Sequence, residues 1–333
     1  MDILQSCMDA CREQPGTVVF PDCLDSRVLQ AASIIKQEGL AEPVLVQSPF
    51  AVRAKMSRSE VAAAGFTVVD HTSPTLLEKN TEAYRSILRE KGKEISGDDA
   101  RRAMNCPLGA AAMMVRRGEV EVGVAGNLSS TAAVLRAGLS LIPRKAGIDH
   151  ISSFFLMVSP DGRRRYLFAD CAVVPEPSSE VLADIAISSA QMARGLLAEE
   201  PRVALLSFST KGSSNHPRAA AVRAAVGKIR ERAPDIMVDG ELQFDAAAVP
   251  GVAALKVPGS ILEGKANVFI FPSLEAGNIA YKMVQRLADY TALGPFLQGF
   301  NGGWHDLSRG CSAKDIVKVA VVGLCLQRGN LLN

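Results

Sequence analysis

Apolar positions along this chain fall into two alternating rhythms. Short apolar runs recur, and stretches with apolar residues at helical spacing separate them. Thr17-Val18-Val19-Phe20 predicts a strand that Pro21-Asp22 ends. Ser26 to Glu38 then repeats Val28, Leu29, Ala32 and Ile35 on one helical face and stops at Gly39. Further strands are expected at residues 43–46 and 66–69, helices over 76–91 and 98–117, and a strand over 119–125. That strand leaves through Gly126-Asn127-Leu128-Ser129-Ser130-Thr131 into another helix. Beyond a Pro/Gly/charge cluster at 142–147, which marks a domain hinge, residues 154–158 and 166–170 read as an antiparallel pair around Asp161-Gly162. A helix over 178–197 and a strand over 202–208 follow. Gly277 to Tyr290 predicts a helix with Ile279, Met283 and Leu287 on its buried face, and 312–327 a final apolar helix. Strands alternating with helices predict an α/β fold whose mostly parallel sheets are covered on both faces.

Composition narrows the classes. The chain has 333 residues, 48% hydrophobic, enough for two ordinary domains. A net charge of +2 with 5% aromatics argues against a nucleic-acid partner. Apolar runs are too short to span a bilayer, and Met1 to Gln5 lacks the start of a secretory signal. Seven scattered cysteines fit reduced thiols and a cytoplasmic setting. The close pair Cys7 and Cys11 has no matching His/Cys pair, so no metal site is expected.

The densest candidate chemistry is Asp306-Leu307-Ser308-Arg309-Gly310-Cys311-Ser312-Ala313-Lys314-Asp315. It places a hydroxyl, a guanidinium and a carboxylate at a helix start, where free N–H groups and the helix dipole favour an anion. The same residues also read as a capping box, Ser312 with Asp315. The turn at 126–131 has the strand–turn–helix setting of a phosphate cradle; Ser129 or Ser130 reads equally as an N-cap. The Ser209 to Ser214 loop is open to both a phosphate-cradling and a connector role. Asn278, Lys282 and Arg286, four apart, form a donor stripe that could meet a phosphate or a solvated face. Arg89, in a helical last turn, suits the dipole or an anion. Gly259 to Lys265 matches P-loop spacing, yet Ala266 replaces the Ser/Thr and a strand follows, so it is rejected.

Several segments in order resemble the phosphate acetyltransferase (phosphotransacetylase) family. They are Phe20-Pro21-Asp22 with Asp25 to Leu29, the 126–131 turn, Phe168-Ala169-Asp170-Cys171, Ser207 to Ser213, Asp239 to Asp245, Phe269 to Pro272, Gly277 to Lys282 and the 306–315 stretch. Ala125 to Thr131 and Ser273 to Asn278 look most like its ethanolamine-utilisation branch; housekeeping members usually carry His where Leu128 stands.

The resemblance implies two α/β domains, 1–145 plus 300–333 and 146–299, with an inter-domain active-site cleft as in isocitrate and isopropylmalate dehydrogenases. It implies acetyl transfer between coenzyme A and phosphate without a cofactor, CoA being a substrate, with acetyl phosphate and acetyl-CoA as the other partners. Ser308 orients the thiol or carbonyl, Arg309 meets the developing charge, and Asp315 is the base, for which it needs desolvation or a shared hydrogen bond. Ser129, Ser130, Thr131 and Arg136 hold phosphate; Arg89, Asn278, Lys282 and Arg286 contact substrate or CoA. A homodimer, a cytoplasmic location and association with microcompartment enzymes are further expectations. Other readings are transfer of propionyl or butyryl groups, a covalent route through Cys311 or Cys171, a non-catalytic CoA-binding subunit, and a metal- and nicotinamide-dependent dehydrogenase.

Overall fold

A computed structural model describes residues 3–59, 65–197 and 199–329. It divides the chain into two compact units. One consists of Leu4–Pro143 with residues 300–329, the other of Arg144–Gly299. The outermost residues assigned above to the first domain, 1–2 and 330–333, lie outside the described residues.

In the first unit α1 (Ile3–Glu13) leads into β1 (Gly16–Phe20), α2 (Ser26–Gln37), β2 (Ala41–Val46), α3 (Pro49–Met56) and β3 (Thr67–Val69). After these come α4 (Pro74–Glu90), α5 (Gly97–Met104), α6 (Pro107–Arg116), β4 (Val122–Ala125) and α7 (Thr131–Leu141). The returning chain adds β11 (Gly303–Asp306) and α13 (Ala313–Arg328). The single helix expected over 98–117 is two. Pro107 has no N–H to donate to the turn before it, so it sits in a first turn, and Cys106 turns extended to cap α6.

The five strands run in the order β11-β4-β1-β2-β3 and are all parallel, so their carboxyl ends share one edge. From β1 the chain builds outward through β2 and β3, then returns to add β4 on the other side of β1. The β1/β4 boundary is therefore a topological switch point, where open α/β sheets bind ligands beyond the carboxyl ends. Trp304 of β11, wholly buried, donates its indole N–H to the Val134 carbonyl at 3.0 Å and ties the sheet to α7.

In the second unit β5 (Ser152–Val158) and β6 (Arg165–Ala169) form the expected hairpin. They are followed by α8 (Ser179–Leu196), β7 (Arg202–Leu206), α9 (Pro217–Arg232), β8 (Met237–Leu242), α10 (Phe244–Ala248), α11 (Pro250–Lys256), β9 (Val268–Ile270), α12 (Leu274–Leu287) and β10 (Thr291–Gln298). The sheet order is β10-β5-β6-β9-β7-β8, parallel from β6 to β8 and antiparallel at the β10 side.

One assignment in this unit is overturned. Ile279, Met283 and Leu287 are not the buried face of α12; they are 57%, 53% and 79% exposed. Two contacts set the helix rotation. A side chain on Gly277 would lie 2.2 Å from the Asp170 carbonyl oxygen, so only glycine permits that approach. Tyr281 stacks on Phe155 with ring centroids 4.0 Å apart. The face that packs is consequently Ala276, Ala280, Tyr281 and Val284.

Candidate active site at the carboxyl edge

Asp22 follows β1 at the switch point, and its buried carboxylate organises the turn that leaves β4. Oδ2 accepts the backbone N–H groups of Gly126 (2.8 Å), Leu128 (3.1 Å) and Ser129 (3.1 Å), and Oδ1 accepts the Ser129 hydroxyl at 2.6 Å. Gly126 takes φ +106°, and a Cβ there would lie 2.3 Å from the Leu307 carbonyl. That position needs glycine on both counts. The turn does present convergent N–H groups, but a protein carboxylate occupies them, and Ser129 is spent on the same anchor. Ser130 is the N-cap of α7, accepting from the Ala133 amide at 3.3 Å. Thr131 donates its hydroxyl to Asp306 Oδ2 at 2.7 Å. Each of the three expected phosphate ligands thus has an internal partner.

Arg136, in the second turn of α7, is exposed, and its guanidinium has no hydrogen bond or ion pair among the described residues. Arg309, in the loop after β11, is likewise exposed, its guanidinium unpaired among them. Ser308 accepts the Gly310 amide at 3.2 Å and is exposed. The loop itself is clamped from α2. Arg27 forms a 2.6 Å ion pair with buried Asp25 and donates to the carbonyls of Arg309 and Cys311, both at 2.7 Å. That fork geometry is what a guanidinium does well.

Asp315 completes the capping box. Oδ2 accepts the Ser312 amide at 3.0 Å and its hydroxyl at 2.7 Å, and Oδ1 pairs with Lys318 at 3.4 Å. Burial pushes the carboxyl up, but the Ser312 donors and the Lys318 ammonium outweigh it and hold it below the usual range. The tuning expected of a base is therefore absent from Asp315. Asp306 has it: burial raises this carboxyl to about 6, the Thr131 hydroxyl opposing and the Asp22 charge adding to the rise.

Cys311 and Cys171 are both buried, and burial raises both thiols; for Cys311, Arg27 and the Asn127 amide, 2.8 Å from the sulfur, pull the other way. Neither has the exposed, electropositive setting of a nucleophilic thiolate.

The remaining candidates sit on other elements. Arg89 pairs with Glu82 across 3.5 Å at an exposed site on α4. Asn278, Lys282 and Arg286 share a face of α12 in the second unit: Asn278 donates to the Cys171 carbonyl at 3.1 Å, Lys282 lies 5.8 Å from the Tyr281 ring centroid, and Arg286 is exposed. The Ser209 to Ser214 loop repeats the Asp22 arrangement in that unit. Glu241, fully buried, accepts the Ser209 hydroxyl at 2.7 Å and the Gly212 amide at 3.0 Å, and Lys211 pairs with Asp239. Its donors are committed to carboxylates, which favours the connector role.

Sequence reasoning gave no role to Asp22, Arg27, Asn127 or Asp306. A signal existed for Asp22: a carboxylate directly after a Pro-terminated strand faces the amides of neighbouring strand ends.

A family model described as phosphate acetyl/butaryl transferase matches residues 2–324. The chain belongs to that family. It is 41% identical to the phosphate acetyltransferase of Thermoanaerobacterium thermosaccharolyticum over 96% of this chain and 97% of the relative. Among solved structures, a phosphotransacetylase from Streptococcus pyogenes is 38% identical with TM-score 0.90, covering 97% and 98% of the two chains. The EutD phosphotransacetylase from Staphylococcus aureus is 35% identical with TM-score 0.88, covering 98% of each. This last likeness agrees with the ethanolamine-utilisation branch. A dehydrogenase-type structure from Salmonella typhimurium, 12% identical with TM-score 0.51 over 94% of this chain and 99% of that one, shares the architecture alone.

Proposed function

We propose that this chain catalyses reversible acetyl transfer between coenzyme A and inorganic phosphate. The observation that carries the reading is full-length likeness to phosphate acetyltransferases, joined to an exposed Ser308-Arg309 pair at the carboxyl edge of a parallel sheet. In the forward step the CoA thiol gives up its proton and its sulfur bonds to the carbonyl carbon of acetyl phosphate. The carbon–oxygen bond to phosphate then breaks, and phosphate leaves with the electron pair. Arg309 meets charge on the carbonyl oxygen and the departing phosphate, where a preorganised donor is worth several kcal/mol. Arg136 supplies a second guanidinium for phosphate. Ser308 orients the thiol or carbonyl oxygen. Asp315 remains the proposed acceptor of the thiol proton: it is ionised at neutral pH and half-exposed, although the Ser312 donors and Lys318 leave it a weaker base than desolvation would have made it. Thr131 and the 126–131 turn support this site through Asp306 and Asp22.

Arg89, Asn278, Lys282 and Arg286 remain proposed CoA or substrate contacts; the exposed Lys282 and Arg286 are the better placed to meet a solvated anion. No metal or other cofactor enters the reaction as proposed. A homodimer in the cytoplasm, working in ethanolamine breakdown and alongside microcompartment enzymes, completes the reading. The branch likeness supports the pathway.

The test is thioester formation from CoA and acetyl, propionyl or butyryl phosphate by the purified chain. Acetyl phosphate should give the highest kcat/KM. A preference for butyryl phosphate would move the chain to the other activity in the family description, and no thioester from any of the three would sink the reading.

A further inference from the structure

We propose that Asp306 is a positioning residue that fastens the turn after β4 to the loop carrying Ser308 and Arg309. The inference rests on the acetyl-transfer reading for its kinetic consequences and on geometry alone for the fastening itself.

Asp306 ends β11, two residues before Ser308, and is 4% exposed. Oδ2 takes the Thr131 hydroxyl at 2.7 Å, at the first residue of α7. Oδ1 is buried with no hydrogen-bond partner among the described residues, and it would lie 2.5 Å from a Cβ on Gly126. The Leu307 amide, next in sequence, donates to the Ala125 carbonyl at 2.7 Å, so the β11 chain is held against the β4 exit immediately before the loop begins. Asp22 grips the same turn from β1. Two carboxylates therefore hold the 126–131 turn, one from each side of β4. Asp22 has both carboxylate oxygens in use; Asp306 keeps one buried without a partner among the described residues. A buried polar atom left unsatisfied is costly, and it is tolerated where the geometry it enforces matters.

The groups acting on Asp306 are the Thr131 hydroxyl from α7, the Leu307 amide from its own strand end and the Asp22 carboxylate from β1. The first two favour the carboxylate and the third opposes it. Burial, the largest influence, places its protonation at about 6. Protonation weakens the acceptor that holds Thr131, so the fastening loosens as pH falls through that value. The chain's single tryptophan reports on this junction independently of catalysis. Trp304 lies on the same face of β11 and donates to Val134 of α7.

The experiment is a pH series from 5 to 8 on the wild type, Asp306→Asn, Thr131→Val and Thr131→Ser, reading Trp304 emission and acetyl-transfer kcat and KM. Wild type should show an emission transition and a fall in kcat, both centred near pH 6, with KM little changed. Asp306→Asn should show neither transition and a kcat lower by roughly tenfold to a hundredfold, the size expected of a misplaced site. Thr131→Val should move the emission midpoint upward, and Thr131→Ser should restore wild-type behaviour. A transition that persists in Asp306→Asn, or Thr131→Val identical to wild type in both readouts, overturns the proposal. Should Asp306→Asn fail to fold, the Thr131 pair decides by the same criteria. A chain that makes no thioester yet shows the Trp304 transition keeps the fastening and loses the reaction. Thioester formation with a flat Trp304 profile does the reverse.

Discussion

Replacing Asp22 with alanine removes the acceptor for three backbone N–H groups and one hydroxyl in a single step. A hydrogen bond to a charged group contributes about 1.5–3 kcal/mol, and each buried donor left without a partner costs about 1–3 kcal/mol. The four bonds share one carboxylate and are not additive. Part of the turn is also solvent-accessible, since Leu128 is exposed and Ser129 half-buried. Water can therefore reach some of the freed donors, and the expected loss is about 3–5 kcal/mol rather than the full sum. Asp22→Asn should fall between, because an amide presents one oxygen to four donors and points its own N–H₂ at the rest. The assay is urea unfolding followed by Trp304 emission, which reads the first unit and so avoids treating two units as one transition. The midpoint should drop with little change in slope, and thioester formation should drop with it because the turn loses its shape. Asp22→Ala within about 1 kcal/mol of wild type, or a destabilised Asp22→Ala with undiminished kcat, would refute the argument that this carboxylate shapes the site.

Further predictions follow from the same edge. Gly126→Ala should express poorly or unfold at low urea, since its Cβ would meet the Leu307 carbonyl at 2.3 Å and Asp306 Oδ1 at 2.5 Å in a left-handed backbone conformation. Asp315→Asn keeps an oxygen for the Ser312 amide, so it should cost under about 1 kcal/mol of stability while lowering kcat by about 100-fold, as for loss of a general base; equal activity in the two would remove Asp315 from the reaction. Asp306 supplies a stability test with a definite sign. Its folded pKa of about 6 stands above the ordinary 3.8, so it favours folding below pH 4 and loses that contribution as pH rises through 6. Relative to wild type, Asp306→Asn should gain up to about 3 kcal/mol between pH 4 and pH 7.5, measured by urea unfolding at both.

Much of this architecture was legible because apolar periodicity and turn chemistry are local properties. The Ser312 cap and the Asp161-Gly162 hairpin were readable from neighbouring residues, whereas strand ends were placed only to within a few residues: the strand expected over 119–125 runs Val122–Ala125 and that over 202–208 runs Arg202–Leu206. Local pattern failed where distant residues decide. The rotation of α12 depends on Gly277 meeting the Asp170 carbonyl and on Tyr281 meeting Phe155, contacts that no spacing rule contains. Pro107 is the local signal that divides the helix expected over 98–117, since it can stand only in a first turn. In the site, Ser129 and Thr131 advertise hydroxyls, and the sequence cannot say that Asp22 and Asp306 claim them. The carboxylates that shape the edge come from β1 and β11, separated from the turn by more than a hundred residues. The exposed arginines of the site are the reverse case, since Arg309 and Arg136 were nominated from sequence and stand without internal partners among the described residues.

The account depends most on Arg309 being held free by Arg27 to meet a substrate anion. Steady-state kinetics of Arg309→Ala and Arg309→Lys with acetyl phosphate and CoA tests this directly. The prediction is a kcat at least about 100-fold lower for alanine and a partial loss for lysine, with the urea midpoint of wild type in both. Activity within about threefold of wild type in Arg309→Ala would contradict it.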